Sequence, residues 1–315
     1  MSYGLTESKS LLKKSGLVSI WHSTEKEHTS TNRKNPFLFF FLLFNTNQFR
    51  FVQFTNTMLI STTELNSILN DPNILIIDTR SFKEYSEGHI SGAVNLDLFA
   101  FHWIDTTKEG IQNFNKQTEM IFSFVGVSAE KKVVFYDDVS GMLAARGVWM
   151  LEYFSHLDVS MLDGGIKKWT KENKPLETKL NPFHPSKFSG KVNPEIISSY
   201  EYILDKINTL KIIDARSDGE YDGTTIRAAQ AGHIPKSINI DWNLNINDDG
   251  TFKSDDELSR LYQIPKDTEI VTYCQGAYRA ANTFLVLKKL GFQTVRVYLG
   301  SWGEWGNKLD LPVEK

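Results

Sequence analysis

The residue best suited to chemistry is Cys274, the one cysteine of the chain, set in YCQGAYRAANTFL. The run 269–273 before it reads as a strand, with β-prone Ile270, Val271, Thr272 and Tyr273. Residues 279–290 after it read as a helix whose apolar face carries Ala280, Ala281, Phe284, Leu285 and Leu287. A thiol between a strand and a helix faces the helix's unpaired N–H groups and the positive end of its dipole. Both favour the thiolate, which is the nucleophilic form. Gln275, Gly276, Ala277 and Tyr278 fill the gap. Gly276 and Ala277 are small enough for the backbone to curl and aim several N–H groups at one centre. Arg279 adds a fixed cation. A lone cysteine is more often a small buried hydrophobe. The strand–loop–helix setting, the glycine and the arginine reverse that preference.

The elements that position Cys274 belong to a repeat. Residues 76–80 (IIDTR), Glu84-Tyr85 and Gly88-His89-Ile90 form one copy. Residues 212–216 (IIDAR), Glu220-Tyr221 and Gly232-His233-Ile234 form the other. Asp78 and Asp214 lie 136 positions apart, as do Trp169 and Trp305; Tyr136 and Tyr273 lie 137 apart. That period is too long for a solenoid unit and fits two copies of a small domain.

IIDARSDGEY, AGHIPKSINI, YCQGAYRAA and YLGSWGEWGNKLDLPVE together resemble a two-domain sulfurtransferase of the rhodanese superfamily, over about residues 58–315. The resemblance implies an α/β fold of two tandem domains, each a central, mainly parallel sheet flanked by helices. It implies a catalytic carboxyl domain, an inactive amino domain and a persulfide on Cys274. The first copy agrees, since Asp137 matches Cys274. The expected organisation is an extension over 1–57, an inactive domain over 58–173, a linker over 174–195 and a catalytic domain over 196–315. The inactive domain is expected to cover the Cys274 pocket, a cleft between domains being a common ligand site.

The coarse pattern alternates helix and strand, which favours parallel sheets. In copy 1 it reads as a helix starting near Ser61-Thr62, strand 74–78, helix 115–125, strand 133–137 and helix 142–154. In copy 2 it reads as helix 198–208, strand 211–215, helix 255–262, strand 269–273, helix 279–290 and strand 293–298. Four of nine prolines fall in 174–195 and mark a stiff linker. The 315 residues carry a net charge of −3, which gives no sign of a nucleic-acid partner. One cysteine allows no internal disulfide, and no zinc-ligand cluster is present. Residues 1–57 hold seven basic residues against three glutamates, with an apolar run of eight at 37–44. That run is too short to span a bilayer, which needs about 20 residues. The composition suits a mitochondrial transit peptide, or else a disordered extension of a cytoplasmic protein with Met58 as an alternative start.

Sulfur transfer needs a nucleophile that accepts a sulfane sulfur and then releases it, and a thiolate does both without metal or organic cofactor. Four residues separate Cys274 from Arg279, where related phosphatases have five and a wider cradle. The short loop favours a single sulfur atom over a phosphoryl group. A phosphatase and a non-catalytic sulfur-binding module remain the alternatives. By resemblance Arg216 matches an arginine that binds the anionic donor; the competing reading is an ion pair with Asp214 or Glu220. Arg279 is a second candidate for that role, and Gln275, Gly276, Ala277 and Tyr278 line the same loop. Arg227 lies in an insert absent from copy 1. His89 and His233 are expected to bond across turns, and Trp302 and Trp305 to fill the core. CQGAYR has neither the arginine and lysine that follow the cysteine in thiosulfate-preferring members nor the glycine and serine or threonine of mercaptopyruvate-preferring ones. Thiosulfate is the expected donor, since it needs only anion binding, with 3-mercaptopyruvate second. Cyanide, a small thiol or a thioredoxin-like protein is the expected acceptor, and a monomer is expected.

Overall fold

The computed structural model of the chain describes residues 58–315. The expectations placed on 1–57 lie outside the described residues. Each copy folds around a five-stranded sheet whose pairings are all parallel. In copy 1 the order is Leu59–Ile60, Val159–Leu162, Lys132–Tyr136, Ile74–Asp78, Val94–Asn95. In copy 2 the same order recurs as Ile197–Ser198, Val295–Tyr298, Ile270–Tyr273, Lys211–Asp214, Ile238–Asn239. Asp78 stands opposite Tyr136 in register, and Asp214 opposite Tyr273. Parallel strands covered on both faces must be apolar throughout. Lys132–Tyr136 and Ile270–Tyr273 meet that demand and are buried almost end to end.

Local signals set the helix starts. Ser61 caps Thr62–Ser67 with Glu64 closing a capping box, as Ser81, Ser217 and Ser254 do at theirs. The helix expected over 115–125 begins earlier, at Lys108–Val125, because Thr107 caps it by accepting from the Gly110 N–H. Its polar first turn hides the apolar period.

Helices Met142–Tyr153 and Tyr278–Lys289 pack against each other between the two sheets. Both are buried on nearly every side, with polar Arg146 and Asn282 among the buried residues. One core therefore runs from Phe135 and Val148 through Phe284 and Leu287. The proline-rich stretch is not a free spacer. Leu176–Glu177 pairs antiparallel with His89–Ile90, Ser186 and Phe188 bond Ser123, and Asn193 bonds Tyr153. It is bound to copy 1 along its length.

Candidate active site

Ile270–Tyr273 is the middle strand of its sheet and delivers Cys274 at its carboxyl end. The chain turns at once into Tyr278–Lys289. The turn is made by Ala277, whose φ of 66° and ψ of 11° are left-handed, a conformation that costs a non-glycine residue about 1–2 kcal/mol. Ser301 holds it there. Its Oγ accepts from the N–H groups of Cys274 (3.2 Å) and Ala277 (3.0 Å) and donates to the Tyr298 carbonyl (2.8 Å). The carbonyls of Cys274 and Gln275 accept from Trp302 and Gly303 at 2.9 and 2.8 Å. Ser301 is itself strained, at φ 50°, where the matched residue of copy 1 is Gly165 at φ 57°. The strain is retained at the position that braces the sulfur loop.

Gly276 is needed for a reason other than the expected curl. Its φ is not positive; instead a Cβ there would meet His102 Cε1 at 1.9 Å. His102 comes from copy 1, stacks on Tyr278 with rings 5.9 Å apart, and closes over the loop. Burial, then the charge of Arg146, lowers its pKa and keeps it neutral.

Cys274, Gln275, Gly276, Tyr278 and Arg279 line a cavity of about 610 Å³. Copy 1 closes it with Phe99, His102 and Met142, and copy 2 adds Arg227 and Trp242. The cleft between domains thus forms as expected. A larger groove of about 960 Å³, lined by Met120, Phe124 and Phe183 among others, lies between copy 1 and the proline-rich stretch and holds no thiol. The guanidinium of Arg279 grips Glu220 through two bonds of 2.6 and 2.9 Å, and Arg227 stands 3.6 Å from the same carboxylate. Burial alone would raise the Glu220 carboxyl; Arg279 outweighs it and holds the pKa at about 2. Burial works against the Arg279 charge, yet Glu220 and Cys274 raise its pKa overall. One carboxylate thus holds two cations at the cavity wall, which leaves the cavity attractive to anions.

Two residues read from the sequence as substrate contacts sit elsewhere. Arg216 does not line the cavity. It is 1% exposed and locked to Asp214, with its Nε at 3.0 Å from both carboxylate oxygens and one terminal nitrogen at 2.6 Å from Oδ2 and 2.8 Å from the Gly232 carbonyl. Arg80 makes the same set of bonds with Asp78 and the Gly88 carbonyl in copy 1. The ion pair, weighed above as the competing reading, is where both arginines lie. Ala277 is fully buried and shapes the loop without lining the cavity. The histidines lie as expected: His89 Nδ1 meets the Tyr85 carbonyl at 2.8 Å and His233 Nδ1 the Tyr221 carbonyl at 2.9 Å. Trp302 and Trp305 are in the core. Sequence reading missed His102, Met142, Trp242 and Ser301. Only Ser301 had a signal, since the repeat sets GSW against the GGI of copy 1. Among the described residues no cluster of His, Cys, Asp or Glu could hold a metal, and no helix is long and apolar enough to cross a membrane.

The Rhodanese-like domain family matches the chain twice, over residues 61–172 and 199–308. The chain belongs to that family. It is 35% identical over 279 residues to the sulfur carrier protein TtuD of Thermus thermophilus, covering 82% of this chain and 96% of that protein. It is 34% identical over 262 residues to a thiosulfate sulfurtransferase of Azotobacter vinelandii, covering 82% and 97%. Its structure is similar to that of SseA from Escherichia coli, described among 3-mercaptopyruvate sulfotransferases, with a TM-score of 0.67, 29% identity, and coverage of 78% and 99%. By class the chain is a sulfurtransferase.

Proposed function

We propose that this sulfurtransferase carries sulfane sulfur as a persulfide on Cys274, with thiosulfate as the donor. The observation that carries the reading is a single thiol at the start of a helix, in a cavity whose wall presents Arg279 and Arg227. The Cys274 thiolate attacks the outer sulfur of thiosulfate. The new S–S bond forms as the old one breaks, and sulfite leaves with the bonding pair. The terminal sulfur then carries the negative charge, which the loop amides and Arg279 stabilise. An acceptor such as cyanide, a small thiol or a thioredoxin-like protein attacks that sulfur and regenerates the thiolate. Neither half-reaction calls on a metal or an organic cofactor.

His102 favours 3-mercaptopyruvate as a second donor. Transfer from that compound expels an enolate that must take up a proton, and a neutral imidazole above Gly276 is placed to relay one. Intact mass after thiosulfate should rise by one sulfur and fall again on adding cyanide. Cys274→Ser should show neither the adduct nor turnover, and turnover persisting in that variant would sink the reading. Parallel rates with the two donors decide between them.

A further inference from the structure

Arg146 is a buried cation with no carboxylate. It lies on Met142–Tyr153 of copy 1 and is 1% exposed. The other largely buried arginines, Arg80, Arg216, Arg279 and Arg296, each hold a carboxylate at 2.6 Å. Among the described residues no acid is paired with Arg146. It is packed against the rings of Trp149 (4.7 Å), Tyr278 (5.4 Å) and Phe114 (5.7 Å), and one terminal nitrogen reaches the Ala277 carbonyl at 3.5 Å. Its neighbours are therefore the sulfur loop of the other copy and aromatic faces. A guanidinium left so is costly unless an anion forms nearby.

The repeat shows what this position does. Residue 282 matches residue 146 on the facing helix. There Asn282 reaches across in the opposite sense, its Nδ2 donating to the carbonyls of Ser140 (2.8 Å) and Gly141 (3.5 Å). Each helix thus sends one polar side chain into the other copy's loop. The loop that already holds the Asp137 carboxylate receives a neutral amide. The loop that holds the thiol receives a cation.

We propose that Arg146 is a positioning residue that supplies counter-charge, across the domain interface, to the anionic sulfur on Cys274. The silent copy then contributes a charge to the site as well as a wall. This rests on Cys274 being the sulfur carrier. Burial draws the Arg146 pKa down to about 10, against the charges of Tyr278 and Cys274, so it remains a cation at neutral pH. The charged and titratable groups around the sulfur are Arg279, Arg227, Glu220 and Tyr278 from copy 2, and His102 and Arg146 from copy 1.

The test uses the full chain, in which one cysteine makes labelling unambiguous. Iodoacetamide alkylation is timed by intact mass at pH 7 and at pH 10, where an ordinary thiol is ionised anyway. Arg146→Met should be alkylated about tenfold more slowly at pH 7, with no fall at pH 10. Arg146→Lys should restore most of the pH 7 rate. Because Met removes an uncompensated buried charge, that variant should melt no lower than the wild type. An unchanged pH 7 rate, an equal fall at both pH values, or a variant that fails to fold would each overturn the proposal. Alkylation needs no donor, so a wild type that takes sulfur from neither thiosulfate nor mercaptopyruvate would overturn the sulfur-carrier reading without touching this measurement.

Discussion

In copy 1 the Asp137 carboxylate accepts N–H bonds from Val139 (3.3 Å), Gly141 (3.1 Å), Leu143 (3.0 Å) and Ala144 (3.1 Å). In copy 2 two loop amides go to Ser301, and among the described residues no side chain takes those of Gln275, Gly276, Tyr278 or Arg279. The same strand–loop–helix turn has thus been used in two ways. One loop is filled by an anion fixed to the chain. The other keeps its donors for an anion that arrives and leaves. The difference teaches that the cradle of copy 1 is occupied from within. It also explains the lost cation, since Leu143 stands where Arg279 stands and a permanent carboxylate with four amides can do without one.

The strongest attempt to break the comparison is to move the nucleophile. In the double variant Asp137→Cys with Cys274→Ser, the new thiol would have no arginine beside it and a loop one residue longer. Sulfur transfer should stay at the level of Cys274→Ser alone. Recovery to near the wild-type rate would show that residue type at this one position separates the two loops.

Much of this was legible before the fold. The strand 74–78 matches its observed bounds, and the 136-residue offset placed both sheets because equivalent positions carry equivalent burial. The placement of Cys274 was legible because it is local, made by the turn between Ile270–Tyr273 and Tyr278–Lys289. The resemblance put Arg216 at the donor, whereas IIDTR in copy 1 already pointed to the ion pair that both arginines make. His102 and Met142 were not legible at all. They reach the site from the other copy, and no pattern near residue 102 or 142 encodes what packs across an interface.

The paired arginines give the second prediction, in which the two copies should behave alike. Arg216→Met removes the partner of a fully buried Asp214, and Arg80→Met does the same to Asp78. Stranding a buried charge costs about 3–5 kcal/mol, and both variants should lose stability on that scale in urea melts. The KM for thiosulfate of whatever remains folded should be unchanged in both. A KM raised in Arg216→Met alone would return that arginine to the donor site.

The smallest effect probes the filled loop itself. Burial raises the Asp137 pKa to about 6, against the pull of the Ala144, Leu143 and Gly141 amides. A carboxyl whose folded pKa lies above its usual 3.8 binds its proton more tightly in the native state than when unfolded. Its contribution to stability is therefore full below about pH 4 and is lost as the pH rises through 6. Asp137→Asn keeps an acceptor for the amides and cannot titrate. Relative to the wild type, the variant should gain on the order of 2–3 kcal/mol between pH 4 and pH 7. Urea midpoints of the two proteins across that range measure the difference, and the many other titrating groups cancel. A flat difference would mean that four amides hold the charged carboxylate as readily as water does. Burial would then impose little penalty on an anion in this kind of turn, and the helix end alone would account for an anionic sulfur in copy 2.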